Sequence, residues 1–144
     1  MKNIIKQPQA LFLSKLQLRK LFTKNPKPGK HVIHPFEHID WVGKIPLKLL
    51  EISRVQKAPN LPEVHTLEGD LLVSLSGKAE FLSGGNLIDR TTVKKNGKSI
   101  RHEFTGSSIA GGTQFMLGVG DWLWIPPGIA PQHKTRTTAR LLII

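Results

Sequence analysis

Short apolar stretches punctuated by turn residues constrain this chain most. Turn signals recur roughly every eight to twelve residues, and little of the sequence has helical period. Leu47–Val55 alternates loosely and reads as a strand, as do Leu71–Leu75, Lys78–Leu82, Thr91–Val93, His102–Phe104, Gln114–Leu117, Trp122–Ile125 and Ala139–Ile144. Ser83–Asn86 reads as a turn, and Lys94–Lys98 as a basic turn with an Asn-Gly core. Many short strands with this punctuation predict an all-β barrel or sandwich. The chain has 144 residues and is 39% hydrophobic, which suits one domain with a real core.

Within that pattern, Pro62–Phe81 concentrates chemistry. Glu63, His65, Glu68 and Asp70 fall within eight positions, ahead of an apolar strand that stops at Gly77. Such groups are costly to bury unpaired, so the segment is either a solvated loop or a binding site. Glu63 and His65 are two apart, so an extended strand points both to one face. If Glu68-Gly69-Asp70 is a tight turn, the strand after it returns Asp70 alongside His65.

These residues resemble the first motif of the cupin superfamily, in which two His, an acidic residue and a closing Gly follow at fixed spacing. Glu63 stands at the first His position, His65 at the second, Asp70 at the acidic position and Gly77 at the end. Gly120–His133, GDWLWIPPGIAPQH, resembles the second motif as far as Gly128, and Pro131 then occupies the position of the metal-binding His. The intervening segment is similar to small single-domain bacterial cupins. The resemblance covers about the last two thirds of the chain and implies a cupin-type β-barrel or jelly roll. Function follows from it much less, because the fold hosts many chemistries.

On the cupin template His65 and Asp70 fall on a metal, with Glu63 as a third ligand. His133 lies two residues beyond Pro131 and faces the same way, so a register slip or bulge there brings it into range. The full set suits Fe(II), Mn(II), Ni(II) or Zn(II). A Glu63 free of the metal is the candidate catalytic base. Trp122 and Trp124 share one strand face, which reads as barrel lining or, more sharply, as a wall of the substrate pocket. The expected function is action on a small organic molecule, with dioxygenase, isomerase and lyase chemistry all open. The alternative is a metal-free, non-catalytic small-molecule-binding or sensor cupin. No nucleotide or flavin is expected: Ser107–Gly112 lacks the ending of a phosphate loop. The resemblance also implies a homodimer.

Net charge is +11, but residues 1–30 hold eight basic residues and no acid. Without those eight, 13 basic and 10 acidic residues leave +3. The expected organisation is a basic N-terminal arm, 1–30, followed by a barrel domain, 31–144. Leu11, Leu18 and Phe22, and separately Phe12 and Leu16, recur at helical spacing, which predicts a short amphipathic helix from about Pro8. The arm's acid-free, amphipathic start resembles a transit peptide; packing on the barrel is preferred. Anionic-surface or nucleic-acid binding through the arm ranks last, because the arm has few aromatics and no known motif. His31, His34 and His38 are three His within eight residues, but Pro35 disfavours the helix that would align them. Cysteine is absent, which removes disulfides and thiolate chemistry. No run approaches the ~18 apolar residues of a membrane span. The expected location is the cytoplasm.

Overall fold

A computed structural model describes residues 10–36, 46–56 and 61–144. Among them are one short helix and thirteen strands. The helix is α1 (Lys15–Leu21); the strands are β1 (Gly29–Ile33), β2 (Lys48–Ser53), β3 (Glu63–His65), β4 (Asp70–Ser76), β5 (Ala79–Ser83), β6 (Asn86–Ile88), β7 (Thr91–Lys95), β8 (Lys98–Thr105), β9 (Ser108–Ala110), β10 (Thr113–Leu117), β11 (Trp122–Ile125), β12 (Pro131–Lys134) and β13 (Thr138–Ile143). The helix predicted from Pro8 is shorter than expected, and Pro8 and His38 lie outside the described residues.

All recorded strand pairs are antiparallel. The largest sheet has the order β1-β2-β13-β4-β11; the others are β10-β5-β12, β3-β8-β7 and the β6-β9 ribbon. This is an all-β fold of antiparallel sheets, as the sequence pattern predicts. Its main core joins two sheets. Leu50 and Ile52 of β2, Leu72 of β4, Leu123 and Ile125 of β11 and Leu141 of β13 pack with Ala79, Phe81 and Leu117 of β5 and β10. Burying each large apolar side chain contributes about 1.5–3 kcal/mol. A second cluster, Val64, Ile109 and Ala130 with Leu82, Leu87 and Phe104, gathers around β3, β6, β8 and β9.

Local chemistry sets the ends of the elements. Ser14 caps α1, its hydroxyl accepting from the Gln17 N–H while the Gln17 side chain accepts from the Ser14 N–H. Gly77 closes β4 with φ of +71°, and a Cβ there would overlap the Thr138 carbonyl. At the tip of the β7–β8 hairpin, Asn96 and Gly97 have φ of 52° and 75°, as the Asn-Gly pattern predicts.

The face of the large sheet opposite the core carries a nearly buried ion pair. Arg140 Nε donates to Glu51 Oε2 at 2.9 Å, and Glu51 is 1% exposed. The same guanidinium donates to the Thr23 carbonyl at 2.8 Å and lies 5.1 Å from the Phe22 ring centre. Arg54 donates to the Pro26 carbonyl at 3.0 Å. Two arginines thus fasten residues 22–26 to the sheet, and β1 begins two residues before the expected arm boundary. Removing Arg140 strands a buried carboxylate, so Arg140→Ala should cost roughly 3 kcal/mol in denaturant unfolding. The Glu51→Gln, Arg140→Ala double variant should recover part of that loss.

Candidate functional site

The expected hairpin between β3 and β4 does not form. β3 pairs with β8, whereas β4 lies between β13 and β11 in the large sheet. The connection after His65 crosses from one sheet to another, so Asp70 does not return alongside His65. Instead, His65 Nδ1 lies 3.5 Å from Glu103 Oε1 of β8. Glu63 is solvent-exposed and opposite Thr105. Asp70 shares the face of Leu72 and Ser74, and it closes the core-facing row of β4 opposite Ile125.

The second motif keeps its corner. Ile129 N–H donates to the Pro126 carbonyl at 3.2 Å, and Gly128, with φ of +81°, donates to the His65 carbonyl at 2.8 Å. The two motifs therefore meet through backbone. Their side chains do not form one donor set. β12 pairs with β5 residue for residue from Pro131 to Lys134, so the register slip expected near Pro131 is absent. His133 stays opposite Phe81, 5.7 Å between ring centres, in the main core. Among the described residues, no three His, Cys, Asp or Glu side chains gather as a metal would require. Glu63, His65, Asp70 and His133 do not fit a common metal ion.

Trp122 and Trp124 do share a face, but not as barrel lining. Leu123 and Ile125 take the core side of β11, and alternation sends both indoles to the outside, 70% and 56% exposed. Among the other histidines, His31 Nε2 lies 2.7 Å from the Lys27 carbonyl within its own turn, and His34 is exposed.

A concave site lies elsewhere. At the Gly77 end of the molecule, Lys78, Glu80, Lys134, Thr135, Arg136, Thr137, Val55, Gln56 and Met116 line a recess of about 640 Å³. A second recess of about 250 Å³ shares Gln56, Glu80 and Lys134, and adds Gln114, Gln132, Leu82 and His133. Six residues of β4 separate this end from Asp70, a span of about 20 Å. Lys134 Nζ is 2.9 Å from Glu80 Oε1. Three cations against one carboxylate leave the larger recess net positive, and the smaller one is rich in amides. Thr135 is held in place by donating its hydroxyl to the Lys78 carbonyl at 2.8 Å. In the sequence these residues appear only as polar positions alternating with Ala79, Phe81, His133 and Thr135, a pattern that a solvated strand face also gives.

No family model matches the chain, and no curated protein matches it. Similar solved structures include Drosophila melanogaster CENP-C bound to CAL1, with 13% identity, a TM-score of 0.47, and coverage of 72% of this chain and 67% of that one. Two further structures are of the Drosophila CENP-C cupin domain. One has 14% identity, a TM-score of 0.48 and coverage of 73% and 61%. The other has 14% identity, a TM-score of 0.46 and coverage of 72% and 62%.

Burial, and to a smaller degree the charge of Lys30, lowers the pKa of His133 from 6.5 to about 4. Between those values the unfolded chain takes up a proton that the folded chain refuses. Stability should therefore fall as pH drops from about 6.5 to about 4, then level off below that. The shift corresponds to about 3 kcal/mol. Urea unfolding of a His133→Gln variant across this range should show an acid limb shallower by about that amount.

Proposed function

We propose that this chain is a metal-free, non-catalytic small-molecule-binding domain of cupin fold. Its ligand is a small organic anion, held in the recess at the Gly77 end. The carrying observation is the convergence of Lys78, Lys134 and Arg136 around a cleft of small-molecule size with only Glu80 to offset them. Lys78 and Arg136 receive a carboxylate or phosphate group, and Arg136 can do so with two parallel N–H donors. The Glu80–Lys134 pair holds the third cation in place. The Gln56 and Gln114 amides of the adjoining recess offer donors and acceptors to a polar ligand body.

A metal-dependent reaction at Glu63, His65, Asp70 and His133 has less support, because the fold disperses those residues between β3, β4 and β12. Elemental analysis beside a His65→Ala variant tests that alternative. Stoichiometric transition metal lost in the variant would restore the enzyme reading.

Citrate, succinate and inorganic phosphate are suitable calorimetric probes for the recess. At least one should bind the full chain, with affinity declining as salt rises. Lys78→Ala and Arg136→Ala should each weaken that binding about tenfold, the loss of ~1.4 kcal/mol of charge-assisted contact. Trp122→Ala should leave it unchanged. Equal binding by the Lys78, Arg136 and parent proteins would sink the assignment.

A further inference from the structure

The β7–β8 hairpin concentrates positive charge that neither the core nor the cleft uses. From Arg90 to His102 the sequence is RTTVKKNGKSIRH, with five lysines and arginines and no acid. Arg90 is held at the hairpin's base, its guanidinium 3.9 Å from the centre of the Phe104 ring. Lys94, Lys95, Lys98 and Arg101 are exposed, and none of them forms an ion pair with a described carboxylate. The two acids that bracket the segment are engaged elsewhere. Asp89 accepts from the Ser107 hydroxyl at 2.7 Å, and Glu103 lies 3.5 Å from His65.

The hairpin also stands clear of the strand that anchors it. β3 pairs with β8 only along Glu103 to Thr105, and the next tie is the His102 carbonyl, which accepts from the Thr66 N–H at 3.0 Å. Beyond His102, β8 has β7 alone beside it among the described strands. On β7, the three residues from Val93 to Lys95 rise roughly 10 Å before the Asn96-Gly97 turn. Both faces of this ribbon are cationic. Lys95 and Lys98 sit directly opposite each other, and Lys94 sits opposite Ser99. Alternation puts Lys95 and Lys98 on one face and Lys94 on the other, where the Thr92 and Ser99 hydroxyls meet at 3.4 Å. Arg101 is exposed in the bulge that β8 makes opposite Val93. Like charges directly opposite on a strand pair repel, so an anion beside Lys95 and Lys98 relieves a cost built into the tip. A bilayer would need an apolar tip; here the turn is Asn96-Gly97, and Val93 and Ile100 are half-buried.

We propose that the β7–β8 hairpin is a DNA-binding ribbon that enters the major groove of a B-form duplex. Lys95 and Lys98 meet phosphates of one wall, Lys94 those of the other, and Arg101 a phosphate at the rim. The groove, about 12 Å wide and about 8.5 Å deep, admits a two-stranded ribbon, and the hairpin projects further than that depth. A groove sets phosphates on both sides of an inserted element, which matches cations on both faces. Contacts of this kind position the protein without reading sequence, so binding is electrostatic and sequence-tolerant. The surface is separate from the basic arm and from the cleft at the Gly77 end, and it stands whether or not the cleft holds a small anion.

Fluorescence anisotropy of the full chain with a short labelled DNA duplex, over a salt series, tests the assignment. Lys94→Gln with Lys95→Gln, Lys98→Gln and Arg101→Gln, checked for native thermal melting, should weaken binding at least tenfold. It should also flatten the slope of log affinity against log salt by about 3.6, four phosphate contacts at about 0.9 each. The single variants Lys95→Gln and Lys98→Gln should each flatten it by about 0.9. Arg136→Ala in the cleft, and Lys15→Gln with Arg19→Gln and Lys20→Gln in the arm, should leave affinity and slope close to those of the parent. An RNA duplex of the same sequence, whose major groove is too narrow for side chains to read, should bind at least tenfold more weakly. Vesicles of phosphatidylserine should not displace the DNA. A parent chain that does not bind the duplex overturns the proposal, as does a hairpin variant that binds as tightly as the parent. An arm variant that loses as much as the hairpin variant moves the site to the arm and overturns it too. Equal binding of the RNA duplex, or displacement by the vesicles, overturns groove entry in favour of a general polyanion surface.

Discussion

Everything else in this molecule depends on two sheets sharing one apolar core. Each strand can give that core only every second side chain, so the core decides which residues face each other. The eleven buried residues of the main cluster are worth far more together than a few hydrogen bonds in a turn, each net about 1 kcal/mol. That disparity overrides the local logic of Glu63 to Asp70. A hairpin would have put β3 beside β4. The core instead needs Leu72 opposite Leu123 in the large sheet, while Val64 joins Phe104 in a smaller cluster. The acidic turn becomes a crossing between sheets, and its ligand-type side chains part.

The same rule explains what was legible in the sequence. β2, β4, β11 and β13 announce themselves because apolar residues dominate them, and the turn at Asn96-Gly97 because few other pairs adopt its backbone angles. β12 does not announce itself. Its sequence, PQHK, begins with a residue that cannot donate to a ladder and contains no aliphatic side chain besides the proline ring. Its strand character comes from lying along β5. β1 is hidden by Pro26 and Pro28 before it and by Lys30 and His31 within it. The three-residue β6 and β9 are too short for any period to emerge. For the site, the sequence identified chemically distinctive residues but not their neighbours. Trp122 and Trp124 sharing a face was correct by alternation. Which face it was depended on Leu123 and Ile125, the residues between and after them, winning the core.

Charge is distributed along this architecture in a way that composition alone obscures. Of the chain's positive residues, those of the arm stand on a segment with four described cations between residues 10 and 24 and no buried helical residue. Glu51 and Arg140 are mutually compensated within the sheet face, as are Glu80 and Lys134 at the rim of the cleft. Pairing uses up those carboxylates as attractors for anything arriving from solution. Asp121 and Glu68 are different: both are exposed, and Asp121 accepts from the Gly118 N–H at 2.8 Å. Charge of opposite sign then remains exposed on the arm and beside β11. The cleft at the Gly77 end is a third region, again positive.

The cleft and the exposed indoles occupy different sheets. The cleft is built on β5 and β12 with the residues following β2, and the indoles stand on β11 beside β4. An anion held by Lys78 and Arg136 does not compete for the indoles. Any influence of one on the other has to pass through the shared core, where Phe81 of β5 packs with Leu72 of β4 in one close-packed cluster. His133 sits at that junction, its ring beside Phe81 and its residue at the wall of the smaller recess. Burial keeps it neutral at ordinary pH. The fold thus gives His133 a place in the packing beside Phe81 rather than beside the other ligand-type residues.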